Sequence, residues 1–208
     1  MKTAFSIIVS ILINILTCGA QEVDNSHFKN KYGIALTPTR SPNVYGICLG
    51  PIGSESICGY PYFKKSHGLN IQFFGQGILW MYSPLNSFKN LKYQDENLAP
   101  IDTLIKYDAL RAYHNGLLIS IFGAIDTRVN GLTFSFFYGQ GFRINGLALN
   151  LFRNQFNQVM GAEIGFINEA GSVKGTQIGL INKTQELKGI QIGIWNVNDK
   201  RKFPLINW

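Results

Sequence analysis

Glycine returns at Gly116, Gly131, Gly146, Gly161, Gly175 and Gly189, at intervals of 15, 15, 15, 14 and 14 residues. A constant interval of this length marks a chain of repeated small units, each unable to bury a face alone and each stabilised by its neighbours. The last copies are close to identical: Gly175-Thr-Gln-Ile-Gly-Leu-Ile-Asn182 returns as Gly189-Ile-Gln-Ile-Gly-Ile-Trp-Asn196. With each unit numbered from its glycine, positions +1, +3 and +5 run from Leu117, Ile119 and Ile121 to Ile190, Ile192 and Ile194. Seventeen of these eighteen residues are apolar and none is charged. A period of two over a short window is the signature of a β-strand with one buried face. The expectation is therefore that +1, +3 and +5 face the core. Positions +2 and +4, with Ser120, Thr133, Asn150, Glu163, Gln177 and Gln191 among them, are expected to face solvent. Val129, Ile144, Val159, Val173 and Leu187, two residues before the glycines, add a second apolar foothold. Each unit reads as a strand of about seven residues, a corner and a short return.

Two chain paths accommodate such units. In a parallel solenoid, equivalent residues stack about 4.8 Å apart. In an antiparallel meander they fall at opposite ends of neighbouring strands. Asn168, Asn182 and Asn196 share position +7, and Gln177 and Gln191 share +2. Stacked amides hydrogen-bond along a ladder, which gives such repetition a cause. The links are also uniformly short. The fold expected is all-β: a single domain of 14–15-residue units in a parallel β-solenoid or β-roll, with an antiparallel meander or β-barrel as the alternative. The most regular repeats span 116–196. Gly33, Gly46 and Gly68 open weaker copies, and an insertion at about 82–113 interrupts the array. Within it, Pro100 to Tyr113 predicts one short helix with Pro100 in its first turn.

Residues 1–20 read as a secretory signal: Lys2, an apolar run from Ala4 to Leu16, then Cys18-Gly19-Ala20 before a cut at Gln21. Lipidation at Cys18 is the rival, disfavoured by Thr17 before it. The β repeat domain is then 21–208. Removing Lys2 lowers the formal charge from +7 to +6, and Cys48 and Cys58 remain. In an oxidising compartment these two are a candidate disulfide, or else two small buried residues. The basic clusters Lys64-Lys65 and Lys200-Arg201-Lys202 read as surface charge, with no nucleic-acid partner expected.

The tandem units from Gly161 onward, and the ending through Lys200-Arg201-Lys202-Phe-Pro-Leu-Ile-Asn-Trp208, resemble a group of uncharacterised bacterial surface-repeat proteins. That resemblance implies export to the envelope of a Gram-negative bacterium, in the periplasm, outer membrane or cell surface. It implies no catalytic residue.

Motifs for chemistry are sparse. His27, His67 and His114 lie far apart without metal-site spacing, and no cofactor is expected. Gly50-Pro-Ile-Gly-Ser54 lacks the lysine and helix of a phosphate loop. On the strands Glu163 is a lone carboxylate, not the pair that glycoside hydrolysis requires. Position +6 stands out, since Phe122, Phe137, Phe152, Ile167, Ile181 and Trp195 are apolar where alternation calls for an outward residue. Either the chain turns into the core there, or these residues form an interaction stripe toward lipid, the inserted segment or a partner. The leading expectation is a non-catalytic envelope scaffold contacting a surface protein, a glycan or the outer membrane. A small outer-membrane β-barrel is the alternative, with the C-terminal aromatic for it and Pro204 against it. A glycan-active β-helix is the third.

Overall fold

The computed structural model describes residues 29–37, 39, 41–53, 65–75, 112–124 and 127–208. Among the described residues ten strands lie in one sheet in chain order. They are β1 (Lys31–Leu36), β2 (Asn43–Gly50), β3 (Lys65–Gln72), β4 (Ala112–Ser120), β5 (Thr127–Ser135), β6 (Tyr138–Asn150), β7 (Arg153–Ile164), β8 (Ile167–Ile178), β9 (Ile181–Val197) and β10 (Lys202–Asn207). Each strand from β1 to β8 pairs with the next in parallel, and the glycines form one column from Gly33 through Gly46, Gly68 and Gly116 to Gly189. The chain is a parallel β-solenoid. Parallel pairing excludes the antiparallel meander and barrel, in which the glycines could not meet. The weak N-terminal copies are full members of the stack, and β3 pairs directly with β4 across the interruption in the repeat.

Of the segment expected to be helical, Ala112 and Tyr113 open β4, while 100–111 lie outside the described residues. There is no helix among the described residues. The strands of the regular repeats, β4 to β9, are also longer than seven residues. β7 and β8 have 12 residues each and β9 has 17, because they run through the glycine instead of starting at it. The glycines bend the strand at positive φ, +134° at Gly161 and +142° at Gly175, while the pairing continues.

The two faces of the repeat are the reverse of the sequence expectation. Positions +2 and +4 point inward: Leu118, Ser120, Thr133, Ser135, Ala148, Asn150, Glu163, Gln177 and Gln191 are all buried. Positions +1, +3 and +5 point outward, with Ile178 39% and Ile192 43% exposed. The cause is room. A Cβ at Gly179, a +4 position, would lie 2.1 Å from the Gly165 carbonyl oxygen and 2.6 Å from Asn168 Nδ2. A coil this small has no space inside for two bulky columns from one strand, so the Ile, Leu and Phe column takes the outer face. Apolar packing comes instead from the residues before the glycines, with Val129, Ile144, Val159 and Val173 buried together with Phe156 and Leu118. A smaller apolar cluster of Ala35, Val44, Cys48 and Ala112 lies toward β1.

Buried polar groups are tolerable only when hydrogen-bonded, and two ladders meet that need. Ser135 Oγ donates to Asn150 Oδ1 at 2.6 Å, and Asn150 Nδ2 to Asn154 Oδ1 at 2.6 Å. The chain continues through Asn168, Asn182 and Asn196 at 2.8, 2.7 and 2.7 Å. The second amide hydrogen of Asn154, Asn168 and Asn182 goes to the carbonyls of Ile164, Ile178 and Ile192 at 3.1, 2.9 and 2.9 Å. The glutamine ladder points the other way. Asn207 donates to Gln191, Gln191 to Gln177 and Gln177 to Glu163 Oε2, at 2.9, 2.8 and 2.7 Å. Because Asn207 belongs to β10, the antiparallel strand both ends this ladder and covers the edge of β9.

We predict that Asn182→Ala strips the Asn196 Oδ1 and the Ile192 carbonyl of their donors, costing about 2–4 kcal/mol in a urea titration. Asn130→Ala interrupts a ladder of similar geometry, Asn145 to Asn130 to Asn115 at 2.7 Å each, but an exposed one. Water replaces the lost partner there, so the expected cost is under about 0.5 kcal/mol.

Candidate interaction face

The outward columns make one apolar wall along the solenoid. Position +1 runs from Ile34 and Ile47 to Ile190, +3 from Leu36 and Leu49 to Ile192, and +5 from Pro51 and Phe73 to Ile194. Among the described wall residues Thr176 alone is polar. Nine coils at about 4.8 Å and four residue steps at about 3.3 Å give a wall of roughly 40 by 13 Å, on the order of 500 Å². Contiguous apolar patches of this size on a monomer mark contact sites. The backbone behind it is already paired within the sheet.

The residue before each glycine borders the wall on one side. Tyr32, Tyr45 and His67 stack there at ring separations of 5.2 and 4.6 Å. The same column continues through Asn115, Asn130, Asn145 and Met160 to Lys174 and Lys188, which are register neighbours. Position +6 borders the other side. Phe122, Phe137 and Phe152 stack at 5.2 and 5.4 Å, and Phe152 meets Phe166 edge-on at 5.6 Å. Ring pairs of this geometry contribute about 0.5–1.5 kcal/mol each beyond their buried area. Phe137, Phe152, Ile181 and Trp195 are exposed and Phe122 and Ile167 half-buried, so the +6 residues lie at bends or on strands but not in the core. They adjoin the wall. The wall itself was misassigned to the interior from sequence, although the +4 glycines, Gly165, Gly179 and Gly193, were a signal that the other face is the cramped one.

The other candidates resolve differently. Cys48 is buried in β2, while Cys58 lies outside the described residues, as does His27. His114 is buried, with its Nδ1 2.5 Å from Ser66 Oγ and 3.1 Å from Asn70 Nδ2. Glu163, expected on the outside, is fully buried at the head of the glutamine ladder. Burial pushes its carboxyl up to about 8, against the hydrogen bond from Gln177, with the charge of Glu169 adding to the rise. Near neutral pH it is a protonated acid sealed from substrate. Among the described residues no group of three or more His, Cys, Asp or Glu side chains could hold a metal ion. No family model, curated protein or solved structure matches the chain.

Proposed function

We propose that this protein is an exported, non-catalytic repeat scaffold of the bacterial envelope that acts by contact through its apolar wall. The observation that carries this reading is the placement of the Ile, Leu and Phe columns outside while Gln, Asn and Glu fill the interior. The cramped interior accounts for the outward position of these columns but not for their being apolar, since a solvent-facing column that served the fold alone would accept polar side chains. The signal-like residues 1–20 and the resemblance to bacterial surface-repeat proteins support the envelope as the place of action. Hydrogen bonding between the coils fixes the wall in place, so the contact needs little ordering on binding.

Fractionation of producing cells tests this. The parent is expected in the envelope fraction, and Ile178→Gln/Ile192→Gln, which alters two exposed side chains, is expected to move most of the protein to the soluble fraction with its β circular dichroism intact. A folded double variant retained at the parental level would refute the contact role.

A further inference from the structure

We infer that the surface covered by the wall is an anionic lipid bilayer, an inference that rests on the contact role proposed above. Three observations point to it. The first is backbone satisfaction: a paired sheet can lie against hydrocarbon because its N–H and C=O groups need no water. The second is charge. The described residues of the wall and its two bordering columns include no carboxylate, whereas Lys174 and Lys188 stand side by side on one border and both are exposed. Lysines beside an apolar face reach to anionic headgroups while their stems lie along the apolar surface. The same pair, on a chain of formal charge +7, repels another copy. The third is the aromatic border of Phe137, Phe152 and Trp195, exposed side chains suited to the interfacial zone of a bilayer.

Flotation of the purified full chain with vesicles tests this. One set contains phosphatidylcholine alone and the other equal parts phosphatidylcholine and phosphatidylglycerol. The parent is expected to float with the phosphatidylglycerol vesicles. Ile178→Gln/Ile192→Gln should bind at least roughly tenfold more weakly. Lys174→Gln/Lys188→Gln should bind roughly tenfold more weakly to phosphatidylglycerol vesicles and as the parent does to phosphatidylcholine. Every variant carries the same first twenty residues, so binding through that apolar stretch would survive the isoleucine substitutions. Flotation unaffected by them overturns the inference. So does a parent that floats with neither vesicle, or a dimer in sedimentation that the isoleucine substitutions dissolve. If the double variant leaves the envelope in cells but the parent ignores vesicles, the contact role stands and only the lipid assignment falls.

Discussion

Gly175→Ala is expected to remove the cooperative fold, at a cost of roughly 4 kcal/mol or more. An alanine Cβ there would sit 1.9 Å from the Gly161 carbonyl oxygen and 2.8 Å from its carbonyl carbon, at a φ of +142° that side chains rarely adopt. The obstacle is backbone of the adjacent coil, so only separating the coils relieves it, and that breaks the ladder of parallel hydrogen bonds. The matching control is Gly33→Ala at the first position of the same column. Gly33 also has positive φ, +86°, but among the described residues no atom lies within 4 Å of its added Cβ. Only the backbone preference is lost, about 1 kcal/mol. Urea titration followed by circular dichroism compares the two. Equal losses would mean that the glycine column serves conformation alone and that the coils are not in close register.

The second large effect is a gain. Native Glu163 holds its proton up to about pH 8, while the unfolded chain releases it near 4.5. Between those values the folded state binds more protons, so stability is full below about pH 4.5 and falls as pH rises toward 8. Each pH unit well inside the window costs up to about 1.4 kcal/mol, which accumulates to several kcal/mol. Glu163→Gln removes the titration and keeps an acceptor for Gln177 Nε2, extending the ladder by one amide. The variant should match the parent near pH 4, exceed it by several kcal/mol at pH 8 and lose the slope between. Urea midpoints at the two pH values measure this. A parent as stable at pH 8 as at pH 4 would place Glu163 in contact with water.

The path of the chain was legible because it rests on spacing. Equivalent glycines can coincide in register only if the coils are parallel, and the recurrent Asn168, Asn182 and Asn196 have a shared purpose only if they stack. Sidedness was not legible from alternation alone, because alternation says that two faces differ without saying which is inside. The hydrophobic preference that usually decides was overridden by volume. Gly165, Gly179 and Gly193 leave the interior too narrow for the Ile178 and Ile192 column, and the amides at Gln177 and Gln191 become affordable once they bond to one another. The +6 residues were recognised as anomalous, with a turn into the core and an exposed stripe both left open. With the wall assigned to the core, Phe137 and Phe152 looked like an isolated stripe, whereas they border a larger apolar surface. The position of Glu163 was likewise misjudged, since its burial depends on the face it occupies.

The central claim is that coils stack in parallel register with the amide column inside and the apolar column outside. Disulfide formation between Ile178→Cys and Ile192→Cys, in a chain with Cys18→Ala, Cys48→Ala and Cys58→Ala, tests it most directly. The two positions are register partners on the outer face, so their Cα atoms lie about 5 Å apart, within disulfide reach. With an oxidant confined to bulk solvent the bridge is predicted to form rapidly and within one molecule. If this pair stays reduced while Gln177→Cys and Gln191→Cys link under the same oxidant, the amide face is the outer one. If neither pair links, the coils are not parallel neighbours.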